Sequence, residues 1–166
     1  MEIGFSLGSN RGDLVAHMKE AKRRILAYPD TDYVGQSPLY ETEPVGVAPE
    51  YADLKFMNAV LVVNSRCSPA EWLDRLHALE YEMGRRRTED RNAPRTIDVD
   101  ILYAGTECID SGGLVVPHPR WAQRRFVVQP LADVRPDLVL PGAGKTVREV
   151  LAGLEGEVVT ECAREW

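Results

Sequence analysis

An α+β fold built on an antiparallel sheet is what this sequence predicts, from three observations. At 166 residues the chain is about one domain long, taking roughly 150 residues per domain. Apolar residues make up 44% and charged residues 28%, the usage of an ordinary globular protein and not of a disordered, collagenous or coiled-coil chain. Segments with the two-residue period of a strand and segments with a helical stripe alternate in the order β-α-β-β-α-β.

Each element has its own grounds. Glu2 to Leu7 reads as a short strand, broken by Gly8-Ser9-Asn10. Leu14, Val15, Met18, Ala21, Ile25 and Leu26 then fall on one helical stripe. Asp13 near its start and Lys22, Arg23 and Arg24 near its end match the helix dipole, and Pro29-Asp30 closes it. Tyr33 to Tyr40 is a second strand, which Pro38 makes an edge or an irregular one. Glu43 to Lys55, with Pro44, Gly46 and Pro49, is a loop long enough to do more than connect. Phe56 to Val63 is a strong strand. Ser68-Pro69-Ala70-Glu71 is a capping box with proline at the first helical position. It opens the stripe Trp72, Leu73, Leu76, Leu79 and Met83, which Gly84 ends. Thr96 to Tyr103 alternates as a fourth strand. The arrangement is ferredoxin-like, a βαββαβ core with two helices on one face of the sheet and the other face left for a ligand or an added element. The tail adds an αβ extension: Val115 to Pro119 extended, Arg120 to Val127 a short helix, Asp137 to Leu140 strand-like and Val147 to Leu154 helical. With no internal repeat and no linker, residues 1–166 read as a single domain.

Composition excludes several classes. The three cysteines, Cys67, Cys108 and Cys162, are odd in number and form no C-x-x-C. That argues against a disulfide framework or a structural zinc site and points to the cytoplasm. The start of the chain lacks the basic-then-apolar pattern of a signal peptide. The longest apolar run, Ala59 to Val63, is far short of the ~20 residues of a membrane span. A net charge of −6 disfavours a general nucleic-acid binder. Yet between Gly84 and Arg95 five arginines face two acids, so that window is +3 and the rest of the chain −9. An acidic protein with one concentrated arginine segment suits a local anionic ligand.

The sharpest chemical feature is Thr96-Ile97-Asp98-Val99-Asp100-Ile101. On a strand, Ile97, Val99 and Ile101 face the core while Asp98 and Asp100 share the other side. Paired carboxylates repel unless a cation sits with them, and Mg²⁺ is bound by one or two carboxylates with waters and phosphate oxygens. Arg85, Arg87, Arg91 and Arg95 lie just upstream, and their forks match phosphate oxygens. Acids for Mg²⁺ and arginines for phosphate are the parts of a phosphoryl-transfer site. The plainer alternative is a solvated strand face, with Arg86 and Arg91 paired to Glu89 and Asp90. Gly142-Ala143-Gly144-Lys145-Thr146 looks like the end of a P-loop, but Val139 stands where that motif needs glycine, so it reads as a turn and helix cap. Gly8-Ser9-Asn10 follows a strand and opens a helix, so its amides could bind an anion, but a capped turn is the plainer reading. His17, His77 and His118 form no ligand cluster by spacing, and His118, between two prolines, is the best polar contact among them.

Four segments in order carry a resemblance: Phe5-Ser6-Leu7-Gly8-Ser9-Asn10; Ser37-Pro38-Leu39-Tyr40-Glu41-Thr42-Glu43-Pro44; Phe56-Met57-Asn58-Ala59-Val60; and Gly84-Arg85 through Pro94-Arg95-Thr96-Ile97-Asp98-Val99-Asp100-Ile101-Leu102. Val116-Pro117-His118-Pro119 and Arg124-Arg125-Phe126-Val127 follow at suitable distances. The chain resembles the 6-hydroxymethyl-7,8-dihydropterin pyrophosphokinases of folate biosynthesis, over nearly its whole length to Leu140. The resemblance implies transfer of the β,γ-pyrophosphoryl group of ATP to the pterin hydroxymethyl oxygen, with release of AMP. It implies Asp98 and Asp100 as ligands of two Mg²⁺ ions, Arg85, Arg87 and Arg95 on phosphate charge, and Arg124 entering as loops close. His118 would touch the nucleotide, with His77 and Glu80 near it. Phe56 and Phe126 would sandwich the pterin, Asn58 would hydrogen-bond its edge, and Thr42 and Val45 would offer backbone groups. The expected partners are these two small molecules, with no nucleic acid and no membrane, and the expected state is a monomer. Asn92, His77, Glu43, Gly113 and Pro119 depart from the residues of some relatives, whereas the metal and pterin residues are intact. Two other classes remain open: a non-catalytic ferredoxin-like binding or regulatory module, and a different Mg²⁺-dependent phosphotransferase that would yield ADP.

Overall fold

The computed structural model describes residues 1–43, 49–51, 55–85, 94–156 and 159–166. In chain order they form β1 (Glu2–Ser9), α1 (Leu14–Leu26), β2 (Thr31–Gln36), β3 (Leu39–Thr42), a 3₁₀ turn at Pro49–Tyr51, β4 (Phe56–Ser65), α2 (Pro69–Glu82) and β5 (Asp98–Ala104). There follow β6 (Ile109–Ser111), β7 (Leu114–Val116), a 3₁₀ turn at Trp121–Gln123, α3 (Arg125–Val134), α4 (Val147–Ala152) and β8 (Val159–Ala163).

The main sheet runs β5-β1-β4-β3-β8, with β2 also on β4, and every pairing is antiparallel. β2 and β3 are two halves of the irregular strand that Pro38 predicts. Proline cannot donate to the ladder, and Ser37 bridges the break: its N–H donates to the Val60 carbonyl at 2.9 Å and its Oγ accepts the Val60 N–H at 2.9 Å. The order β-α-β-β-α-β is thus the ferredoxin-like core, with β8 added outside it.

One face of the sheet carries Ile3, Phe5, Leu7, Ala59, Leu61, Val63, Val99 and Ile101, packed on Met18, Ala21 and Ile25 of α1 and Trp72, Leu76 and Leu79 of α2. Trp72 is fully buried, 5.0 Å from the Phe5 ring between centroids, and its indole N–H donates to Ser65 Oγ at 2.9 Å. Asp13 caps α1 by accepting the Ala16 N–H at 3.1 Å. Ser68 caps α2, but only half the capping box forms, because the Glu71 carboxylate accepts the Cys67 thiol. Gly84, at φ 95°, supplies the left-handed turn beyond α2.

On the opposite face Val60, Val62, Leu102 and Tyr103 meet Val127, Val128 and Leu131 of α3, with Leu140 and Val147 beyond. That face therefore takes an added element and still leaves its end near Gly8 open. The tail departs from the sequence expectation. The helix expected from Arg120 to Val127 is a 3₁₀ turn followed by α3, which continues through Pro130 to Val134 because the proline ring is buried against the second core. Asp137 to Leu140 forms no strand. Leu138 donates to Arg135 O at 3.3 Å and accepts from Val147 N at 2.8 Å, so this segment is tied to the start of α4 and offers no ladder. The glycine-rich segment before α4 ends in a complete capping box, in which Thr146 and Glu149 satisfy each other's N–H groups. The β6–β7 hairpin and β8 were not anticipated. Among the described residues no helix is long and apolar enough to cross a membrane.

Gly4 pairs with Tyr103 across β1 and β5, and a β-carbon there would lie 2.3 Å from Cε1 of the Tyr103 ring. The ring has no free side to move to, since its hydroxyl donates to Glu2 at 2.6 Å and Glu2 is itself held by Arg135 at 2.6 Å. Gly4→Ala is expected to destabilise the fold by about 1–3 kcal/mol through overpacking. The urea unfolding midpoint measures this, and an unchanged midpoint would contradict the close fit.

Candidate active site

Strand register builds the open end of the second face. Across β1 and β5, Ser6 pairs with Asp100 and Gly8 with Asp98. Across β1 and β4, Gly8 pairs with Asn58, and across β3 and β4, Tyr40 pairs with Asn58 and Thr42 with Phe56. Directly opposed residues share a face, so Asp98, Gly8 and Asn58 form one row, with Asp100 and Ser6 beside it. The predicted alternation holds: Ile97, Val99 and Ile101 are buried in the first core, and the two aspartates face the cleft. His118, Arg124 and Phe126 wall the other side of a cleft of about 350 Å³.

The carboxylates are braced by cations from three segments. Arg85, just past α2, donates from Nη1 to Asp98 Oδ1 at 2.5 Å and also to Glu80. Arg95 Nη1 lies 3.4 Å from Asp98 Oδ2. Glu80, 4% exposed, sits behind Arg85 and accepts the Val99 N–H at 3.2 Å. Burial, and then the charge of Asp98, push Glu80 up to about 7 against the pull of Arg85. The same two causes push Asp100 up to about 7, opposed by Arg124, Arg85 and Arg95. The arginines thus offset the crowding of negative charge only in part, and a cation at Asp98 and Asp100 would relieve it further. Among the described residues no group of three or more His, Cys, Asp or Glu gathers. A pair of carboxylates without nitrogen or sulfur ligands fits Mg²⁺ completed by phosphate and water, and does not fit zinc.

His118 is oriented by its neighbours. Its main-chain N–H donates to the Leu102 carbonyl at 2.9 Å, and its ring Nδ1 accepts the Arg120 main-chain N–H at 3.1 Å. Burial, with the charges of Arg124 and Arg120, lowers its pKa. The ring is therefore neutral at pH 7 and carries its proton on Nε2. At the other end of the row, Asn58 Nδ2 donates to Thr42 Oγ1 at 3.0 Å, which fixes the amide and leaves Oδ1 on the Gly8 side. Phe126 is half-buried at the first turn of α3, with the Arg124 guanidinium 5.5 Å from its ring centre.

Asp98, Asp100, Arg85, Arg95, His118, Arg124, Asn58 and Phe126 thus come together as the sequence expects, with Thr42 and Phe56 paired on the strands beside them. His77 is exposed on α2, and Glu80 lies under Arg85 and not in the cleft lining. Val45 and Arg87 lie outside the described residues. Gly8, weighed in the sequence only as part of a turn that could bind an anion, lines the cleft, and so does Ser6, which was not singled out. Their alternation with Phe5 and Leu7 was visible, but which strands flank them was not.

The family model described as "7,8-dihydro-6-hydroxymethylpterin-pyrophosphokinase (HPPK)" matches residues 4–136. A protein of Pseudomonas aeruginosa named 2-amino-4-hydroxy-6-hydroxymethyldihydropteridine pyrophosphokinase is 40% identical over 150 residues, covering 90% of each chain. The protein of the same name from Bacillus subtilis is 37% identical over 131 residues, 78% of this chain and 75% of its own. A solved Plasmodium falciparum HPPK-DHPS chain with pteroate superposes with TM-score 0.72 at 15% identity, over 91% of this chain. This chain spans 42% of that one, and the likeness bears on the fold.

The carboxylate crowding predicts a pH dependence. The pKa of Asp100 is about 7 in the folded chain and about 3.9 when unfolded. A raised carboxyl pKa stabilises the fold below the unfolded value, and that stability is lost as pH rises through the folded one. With a chelator present, the wild-type unfolding midpoint is expected to fall as pH rises from about 4 to about 7, Glu80 acting in the same direction. Asp100→Asn should fall less over that range, and added Mg²⁺ should raise the wild-type midpoint more than the variant's. Parallel pH curves for the two proteins would contradict this account.

Proposed function

The chain belongs to the 7,8-dihydro-6-hydroxymethylpterin-pyrophosphokinase family, and we propose the cleft between β5 and α3 as its active site. It transfers the pyrophosphoryl group of ATP to 6-hydroxymethyl-7,8-dihydropterin in folate biosynthesis, giving the pterin diphosphate and AMP. The observation that carries the placement is the row Asp98, Gly8, Asn58. Two strand spacings separate its ends, about 9–10 Å, with no side chain at the middle position. A ring held at Asn58 can therefore extend its hydroxymethyl arm over Gly8 toward phosphate held at Asp98.

The pterin lies between Phe56 and Phe126, with Asn58 Oδ1 accepting from a ring N–H and Thr42 and Val45 offering backbone groups. Two Mg²⁺ ions bound by Asp98 and Asp100 would neutralise the triphosphate and polarise the β-phosphorus. Arg85, Arg87, Arg95 and Arg124 take the phosphate oxygens. Glu80 acts through Arg85, which it holds in place. His118 donates Nε2–H to the nucleotide. The hydroxymethyl oxygen bonds to the β-phosphorus, the bond from that phosphorus to the α,β-bridging oxygen breaks, and AMP leaves with the electron pair. The hydroxyl proton passes to solvent. Positioning and charge carry such a transfer, so no strong base is required. We also propose that this single domain acts in the cytoplasm as a monomer. A binding or regulatory module would give no reason for two aspartates and three arginines to converge.

The deciding assay is release of AMP from ATP, dependent on both Mg²⁺ and the pterin; ADP as product would indicate a different phosphotransferase. Asp98→Ala or Asp100→Ala is expected to abolish turnover in a folded protein. Phe126→Ala should weaken pterin binding more than ATP binding, by roughly 2- to 10-fold for lost stacking worth about 0.5–1.5 kcal/mol. Calorimetry with each ligand separates this from a core role, in which both affinities fall alike.

A further inference from the structure

The turn from β1 into α1 is fastened to the chain just before β5. Asn10 is 3% exposed. Its Oδ1 accepts the Arg95 main-chain N–H at 2.7 Å, and its own N–H donates to the Arg95 carbonyl at 3.2 Å. Next to it, Ser9 Oγ donates to the Thr96 carbonyl at 2.6 Å. Two residues thereby hold three consecutive peptide groups, those before and after Arg95 and the one after Thr96. The backbone from which the Arg95 side chain departs is fixed on both sides, and its guanidinium lies 3.4 Å from Asp98 Oδ2.

We infer that Asn10 is a positioning residue for pyrophosphoryl transfer, holding the Arg95 backbone so that its guanidinium meets the phosphate beside Asp98. Ser9 is the second fastener. The inference rests on the reading of Arg95 given above. Ordinary reasons for an asparagine here fail. Among the described residues none other than glycine has a positive φ, so Asn10 does not serve a left-handed turn. The cap of α1 is Asp13, three residues on. The arrangement also leaves Asn10 Nδ2 buried without a partner among the described residues.

A double-mutant cycle tests this in the full-length chain with ATP, Mg²⁺ and pterin. Asn10→Ala is expected to lower kcat about 10- to 100-fold by misplacing a reacting-site group, with KM for ATP changed less than about threefold. The double variant Asn10→Ala/Arg95→Ala should turn over within about threefold of Arg95→Ala, because the two act as one unit. Hydrogen exchange should quicken at the Arg95 amide in Asn10→Ala and not along β5. If Asn10→Ala does not fold, Ser9→Ala replaces it in the same cycle with the same expectation. Multiplicative losses, or full turnover in both single variants of the turn, overturn the inference while leaving Arg95 at the phosphate. Normal turnover in Arg95→Ala overturns that reading and the inference with it.

Discussion

Asp98 and Asp100 stand two residues apart on one face of β5, and the repulsion between them governs what surrounds them. Burial sharpens it, since Asp100 and the nearby Glu80 are both pushed up to about 7. The chain answers with cations drawn from separate places: Arg85 at the end of α2, Arg95 at the entry to β5, and Arg124 ahead of α3. Arg85 is shared by Glu80 and Asp98, so it is held on two sides. Charges braced in this way have little left to reorganise.

The division of the second face follows from side-chain size along β1, β4 and β5. Toward one end Gly4 makes room for Tyr103, and Val60, Val62 and Leu102 give α3 a continuous apolar seat. Toward the other end the same face carries Ser6, Gly8, Asn58 and Asp100, which offer that helix nothing to bury. The helix therefore stops covering the sheet where the cleft begins, and its first turn delivers Arg124 and Phe126 to the rim. Two polar ties hold it there. The Tyr40 hydroxyl donates to Asp133 at mid-sheet, and Arg135 grips Glu2 where α3 ends. Burial and the Asp133 carboxylate raise the Tyr40 pKa, so the phenol stays a donor.

The turn at Ser9 and Asn10 links these themes. A segment that reads locally as the end of a strand fixes the peptide groups of a residue 85 positions away. The row Asp98, Gly8, Asn58 likewise needs β1 between β5 and β4, three segments distant in sequence. Neither arrangement leaves a mark within a short window of sequence, whereas the paired acids and the arginine cluster do.

The core β-α-β-β-α-β, the two faces of β5 and the broken strand at Pro38 were legible because each depends on local periodicity or on one residue's backbone limits. Of the residues that the resemblance named, Asn58, Asp98, Asp100, His118, Arg124 and Phe126 line the cleft, whereas His77 and Glu80 do not. The tail was less legible: β8 is polar and mostly exposed, and it becomes a strand only by finding the free edge of β3. Asp137 to Leu140 has the alternation of a strand, yet the N–H and C=O of Leu138 are taken by Arg135 and Val147. By itself the sequence determined which side chains face together along each element, because alternation and the helical stripe are properties of the local backbone. Only the tertiary structure decided which strands are neighbours, how far α3 covers the sheet, and that Asn10 holds Arg95. Those choices rest on pairing and packing between residues far apart in the chain, where burial and hydrogen-bond satisfaction act on the assembled sheet.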